Sequence, residues 1–266
     1  MTSQILCVGM SDSSAGTGIQ ADIKTIQAFD EYAATVVTAV CVQNTVNVFD
    51  VFPIPSDIVQ AQMKAVMDDF SPVVVKTGML VNEAVINVIG DLLDDANNQH
   101  LKLVVDPVMI GRAGRLLLDK PARDALKRRL LIHADICTPN LREVQELTGL
   151  AVKDIDDMKH AAEMMMTLGC RTVILKGGSL ASEQIYNVYF DDDGAEVFEL
   201  PRFNSKATHG AGTTLSSAIA AGLAKGQNAR DAFLSAQEFL LEAIRSAQQI
   251  GSGFGPLNHS FRLKNA

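Results

Sequence analysis

The chain has 266 residues, 47% hydrophobic and 20% charged, with a formal net charge of −8, which suits a globular fold with a sizeable core, read as one domain over 1–266. The acidic balance argues against nucleic acid as a main partner, since binding a phosphate backbone needs a basic surface. No uninterrupted apolar stretch reaches membrane-spanning length and no leader pattern opens the chain, so a cytoplasmic protein without a membrane partner is expected.

Along the chain, strand and helix patterns alternate. Residues 5–10 form an apolar strand ending in the polar, Gly-rich stretch 11–18, and residues 19–29 read as a helix. Residues 34–42 and 48–54 read as strands, and a helix over 56–69 has Ser56 as its expected N-cap. Strands at 73–75 and 103–105 bracket a helix over 83–96. A helix over 121–131 precedes a strand at 135–138, and Pro139-Asn140 opens a helix running to Leu147. Residues 156–168 are helical and 172–175 extended; 185–190 and 195–200 flank Asp191-Asp192-Asp193-Gly194 as a hairpin. A helix is expected after residue 214, followed by a long amphipathic one with the stripe Phe233, Ala236, Leu240, Ile244 and Ala247. The uninterrupted Val/Ile/Leu strand runs predict a mainly parallel sheet covered by helices on both faces. Cys7, Cys41 and Cys137 lie in apolar runs and are expected to be buried free thiols.

In such sheets ligands bind beyond the carboxyl ends of the strands. Asp12, Gln43, Thr77, Asp106, Asn140 and Lys176 all stand at or just after strand ends, which suggests a shared polar rim. Thr208-His209-Gly210-Ala211-Gly212-Thr213-Thr214 precedes a helix, and its glycines allow close backbone approach to an anion at the helix N-terminus. Gly16-x-Gly18-x-x-Ala21 matches a dinucleotide fingerprint in form. The second strand, however, ends in Gln43-Asn44 without the acidic residue that a ribose needs, so the glycines are read as contacting a small substrate. Asp22 and Gln43 can offer donor and acceptor edges to a heteroaromatic ring, and Met79 can pack on its face. Asp106, Asn140 and Glu143 make a hard-cation set suited to nucleotide-borne magnesium; the competing reading of Asn140 and Glu143 is a helix cap. Lys176, followed by two glycines, can meet a phosphate.

Taken in order, several motifs resemble a known family. They are Ser11-Asp12-Ser13-Ser14-Ala15-Gly16-Thr17-Gly18, Gln43-Asn44-Thr45, Lys76-Thr77-Gly78-Met79-Leu80, Asp106-Pro107-Val108-Met109, Thr138-Pro139-Asn140-Leu141-x-Glu143, Lys176-Gly177-Gly178, Thr208-His209-Gly210-Ala211-Gly212 and Gly255-Pro256-Leu257-Asn258-His259. The set looks like the hydroxymethylpyrimidine/phosphomethylpyrimidine kinases of thiamine biosynthesis, within the ribokinase superfamily. The resemblance implies a three-layer α/β/α, ribokinase-like fold, usually dimeric, that uses ATP and Mg2+ to phosphorylate 4-amino-5-hydroxymethyl-2-methylpyrimidine and then its monophosphate. It implies that Gln43, with Asp22 and Met79, holds the pyrimidine, and that Asp106, Asn140, Glu143 and Lys176 serve MgATP, with Asp106 and Glu143 nearest the metal. Thr208 and His209 would border the nucleotide, and Gly210, Ala211, Gly212 and Thr213 would form the catalytic anion hole. The chain departs from the family at Thr213, where Cys is usual, and also at Met10, Ala15 and Thr17. Two other readings stay open here: a pyridoxal or pyridoxine kinase, and a pyrimidine-binding homologue impaired in catalysis by Thr213.

Overall fold

The structure is a computed structural model that describes residues 2–111, 114 and 116–262. Its strands are β1 (Gln4–Asp12), β2 (Tyr32–Gln43), β3 (Val48–Pro53), β4 (Val74–Thr77), β5 (Lys102–Val105), β6 (Ile136–Cys137), β7 (Val173–Lys176), β8 (Ile185–Asp191) and β9 (Gly194–Leu200). They form one nine-stranded sheet in the order β3-β2-β1-β4-β5-β6-β7-β8-β9. The inner run from β2 to β7 is parallel, whereas β3 at one end and the β8–β9 hairpin at the other are antiparallel. Parallel neighbours need crossover connections, which the helices supply.

The helices are α1 (Gly18–Ala28), α2 (Ser56–Asp69), α3 (Glu83–Asp94), α4 (Lys120–Arg129), α5 (Leu141–Thr148), α6 (Ile155–Thr167), α7 (Ala211–Ala224) and α8 (Ala229–Arg245). Side chains of α2 to α6 pack on one face around Leu6, Val8, Val75, Leu103 and Val105. Side chains of α1, α7 and α8 cover the other face around Ile5, Cys7, Val74, Val104 and Ile174. The alternation of partners along β1 and β4 follows from the two-residue strand period. The result is the expected three-layer α/β/α arrangement. Among the described residues, no helix is long and apolar enough to cross a membrane.

Several local expectations change. Pro55, not Ser56, is the N-cap of α2; its fixed backbone suits the turn, and Ser56 becomes the first helical residue. Helix α7 begins at Ala211, earlier than the apolar periodicity indicates, so Ala211, Gly212, Thr213 and Thr214 occupy its first turn. On α8, Phe233 and Ala236 are buried as expected and Leu240 and Ile244 pack half-buried against the same core, joined by Phe239 and Ala243, whereas Ala247 lies beyond the helix end. All four cysteines are free and buried, Cys170 included.

Candidate active site

The carboxyl end of β1 starts the site. Asp12 is buried, and its Oδ2 accepts the N–H groups of Gly16 (3.0 Å) and Thr17 (2.8 Å). Its Oδ1 accepts both the N–H and the hydroxyl of Ser14, each at 2.7 Å. The Gly-rich loop is therefore wound around one carboxylate. Burial pushes that carboxyl up, but hydrogen bonds from His209, Ser14 and Thr17 outweigh it and hold Asp12 well below the usual range.

The stretch that leads into α7 locks onto this loop. His209 Nε2 lies 3.2 Å from Asp12 Oδ2 and 3.5 Å from the Ser14 hydroxyl. Gly210, the N-cap of α7, has φ +90°, and a Cβ there would fall 1.8 Å from the Gly16 carbonyl oxygen. Only glycine combines that backbone with that approach. Among the described residues, the N–H groups of Gly212 and Thr213 donate to no backbone carbonyl, so the first turn of α7 points unpaired donors into the site.

Charge reaches the same place from the strand ends. Lys176, at the end of β7, places Nζ 2.9 Å from Asp106 Oδ1, and a Cβ on Gly212 would sit 3.1 Å from that ammonium. Asp106 also accepts the hydroxyls of Thr138 (3.3 Å) and, from α7, Ser216 (3.4 Å). Burial disfavours the Lys176 ammonium, but Asp106 and Glu143 outweigh it and raise its pKa. Glu143 is buried on α5 and pushed up to about 7, first by burial; Lys176 pulls it down, and Asp106 adds to the rise. Asn140 and Glu143 form a full capping box: Asn140 Oδ1 accepts the Glu143 N–H, and Glu143 Oε2 accepts the Asn140 N–H.

A separate ion pair lies deeper. Asp22 on α1 meets Lys76 Nζ at 2.8 Å, with the Ser217 hydroxyl donating to the same carboxylate oxygen at 2.5 Å. Next to the rim, a small apolar cluster gathers Met10, Ala39, Cys41, Val51, Met79 and Val108. Gln43 closes β2 two residues beyond Cys41; its Nε2 is buried and lacks a hydrogen-bond partner. The Thr38 hydroxyl donates to the Met79 carbonyl at 2.6 Å, fixing the turn after β4.

A family model described as phosphomethylpyrimidine kinase matches residues 12–258. The chain belongs to the phosphomethylpyrimidine kinase family. A hydroxymethylpyrimidine/phosphomethylpyrimidine kinase of Haemophilus influenzae is 41% identical over 260 residues, covering 96% of this chain and 96% of that protein. Among solved structures, the ADP complex of Bacillus subtilis pyridoxal kinase superposes with a TM-score of 0.90 at 35% identity, covering 99% of this chain and all of that one. A phosphomethylpyrimidine kinase from Clostridium difficile superposes at 0.81 with 37% identity, over 91% of this chain and all of that one.

The expected residues divide into four groups. Asp106, Lys176, Glu143 and Asn140 converge beside Gly210, Ala211, Gly212 and Thr213. Gln43 and Met79 stand at the apolar cluster. Asp22, expected at the substrate, is 1% exposed and engaged with Lys76 and Ser217 beneath α7. His209, expected at the nucleotide, turns its imidazole onto Asp12 and the Gly-rich loop, and Thr208 is half-buried with its carbonyl accepting the Ala211 N–H. Sequence reasoning gave no role to Thr17, Lys76, Ser216 or Ser217. Ser216 and Ser217 fall in an apolar helix with no local signal of a partner. Lys76 was readable as a lysine inside a buried strand, which requires a buried counter-charge.

Proposed function

We propose that this chain transfers the γ-phosphoryl group of ATP to the hydroxymethyl oxygen of 4-amino-5-hydroxymethyl-2-methylpyrimidine, and then phosphorylates the monophosphate. The observation that carries the reading is Lys176 paired to Asp106 beside Gly212, at a helix N-terminus with unpaired N–H groups. Such donors stabilise the charge that develops on the phosphoryl oxygens as the acceptor oxygen–phosphorus bond forms and the bond to ADP breaks. Lys176 adds a cation held charged by two carboxylates. The unpaired Gln43 amide offers a donor to a ring acceptor, and Met79, Met10 and Cys41 supply an apolar wall.

Asp106, paired with Lys176, and Glu143, near enough to Lys176 to raise its pKa, are hard oxygen donors, a set that fits magnesium arriving with its own waters and phosphates. Among the described residues no cluster of three metal-ligating side chains exists, so these two carboxylates suit a shared ion and not a protein cage. Bound there, Mg2+ would neutralise charge on the transferring phosphates. Thr213 carries a hydroxyl with no pKa near neutrality, so it serves here as a hydrogen-bonding group. Phosphoryl transfer depends mostly on positioning and electrostatics, which keeps activity compatible with that residue.

The homodimer reading rests on the sheet end. Val40, Val42 and Phe52 share the outer face of the β2–β3 ribbon and are 41%, 51% and 65% exposed, with Phe49 at 63% close by. An apolar face on an antiparallel edge suits a second copy of the same face.

The test is ADP release from purified protein with MgATP and the pyrimidine alcohol, run beside pyridoxal. Pyridoxal is the second reading, favoured by the superposition on pyridoxal kinase. Turnover of the pyrimidine alcohol above pyridoxal supports the proposal; pyridoxal preference transfers it to the second substrate, and silence with both overturns it.

A further inference from the structure

Thr17 is the N-cap of α1, yet its side chain makes no hydrogen bond to its own helix. Threonine at this position ordinarily accepts an N–H from the first turn, and α1 goes without that contact. The Thr17 hydroxyl instead lies 2.8 Å from the Thr213 hydroxyl on the first turn of α7. The pair thus joins the N-termini of two helices that converge on the site.

Both residues are fixed by other contacts. The Thr17 N–H is held by Asp12, and the Thr213 carbonyl lies 3.0 Å from the Ser216 hydroxyl and 2.8 Å from the Ser217 hydroxyl, each of which shares its single proton between that carbonyl and a carboxylate, Asp106 for Ser216 and Asp22 for Ser217. Thr213 is 8% exposed and follows Gly212, which abuts Lys176. What remains free is the direction of one proton. If Thr213 donates to Thr17, it presents only lone pairs to the anion hole. If Thr17 donates to Thr213, the Thr213 proton is available to an oxygen held there. An anion bound at the Gly212 and Thr213 N–H groups selects the second arrangement, since lone pairs would repel it.

A simple tether between the two loops would not need this bond, because His209 already ties them through Asp12 and Ser14. We propose that Thr17 is a positioning residue for phosphoryl transfer: its hydroxyl donates to Thr213 and turns the Thr213 O–H into a side-chain donor to the oxygen in the anion hole. The proposal rests on the phosphotransferase reading and deepens it.

The experiment compares wild type, Thr17→Val, Thr17→Ser, Thr213→Val and the Thr17→Val/Thr213→Val double variant. It reads kcat, KM for ATP, melting temperature, and calorimetric affinity for Mg2+, ADP and fluoroaluminate as a mimic of the phosphoryl group in flight. Thr17→Val should lower kcat and mimic affinity by about tenfold, with KM for ATP and melting temperature little changed. Thr17→Ser should retain wild-type values, and Thr17→Val should cost nothing further in the Thr213→Val background. The proposal is overturned if Thr17→Val leaves both kcat and mimic affinity unchanged, costs the same factor without Thr213, or lowers only the melting temperature. Wild type that binds the mimic without turning over the pyrimidine sinks the substrate reading alone, and the variant affinities then decide the role of Thr17. Wild type that does neither overturns both.

Discussion

Asp22 and Lys76 form an ion pair at 2.8 Å in which each side chain is only 1% exposed. Burial pushes the Asp22 carboxyl up, while Lys76 and Ser217 pull it back. Burial also opposes the Lys76 ammonium, but Asp22 and Asp106 outweigh it and raise its pKa. Removing one partner leaves a buried charge uncompensated, which typically costs about 3–5 kcal/mol. Lys76→Met should therefore lower stability in urea denaturation by about that amount, with Asp22→Asn/Lys76→Met recovering much of it. A Lys76→Met protein as stable as wild type would show that the pair carries no such weight.

Gly212→Ala separates activity from stability. Alanine is the better helix former, but its Cβ would stand 3.1 Å from Lys176 Nζ, at the place where the phosphoryl oxygens are to sit. The expected outcome is a melting temperature equal to or above wild type and a kcat at least about tenfold lower. Unchanged kcat would remove Gly212 from the anion hole.

The C-terminal segment supplies a pH dependence. His259 is buried against α7, where its Nε2 lies 2.8 Å from the Thr214 hydroxyl, and burial, reinforced by Lys24, pushes it down from 6.5 to about 4. A histidine depressed in the folded state binds its proton first in the unfolded chain. Its contribution to stability is complete above about 6.5 and lost as pH falls toward about 4. Melting curves of wild type and His259→Gln between those values should converge as the pH drops. A constant difference between them would assign the loss to other groups.

The outer face of β2–β3 predicts the assembly. Val42→Asp and Phe52→Asp place charges where a second copy would bury them, so each should shift a dimer to monomer by light scattering, with the fold retained by circular dichroism. Wild type that is already monomeric at micromolar concentration would discard the interface.

Much of the site was legible because strand ends are local features. Asp106 and Lys176 each terminate an apolar run, and in a parallel sheet all such ends open on one edge. The capping box of Asn140 and Glu143 was equally readable, being set by a three-residue spacing. The start of α7 was not: its first turn holds glycine and two threonines, which carry no apolar stripe, and only the backbone shows that the helix begins at Ala211.

The sequence by itself determined the layered α/β/α plan, the edge on which the polar residues gather and the Gly-rich turn that leads into α7, because periodicity and turn chemistry act over a few residues. Tertiary structure alone decided which side chains meet. Thr17 and Thr213 are 196 positions apart, Asp22 and Ser217 are 195, and Asp22 and Lys76 are 54. Their contacts depend on the strand order and on α7 packing across β1, β4 and β5, which no local pattern encodes. For that reason Asp22 reads in the sequence as a residue facing the substrate, whereas in the fold it is the buried partner of Lys76.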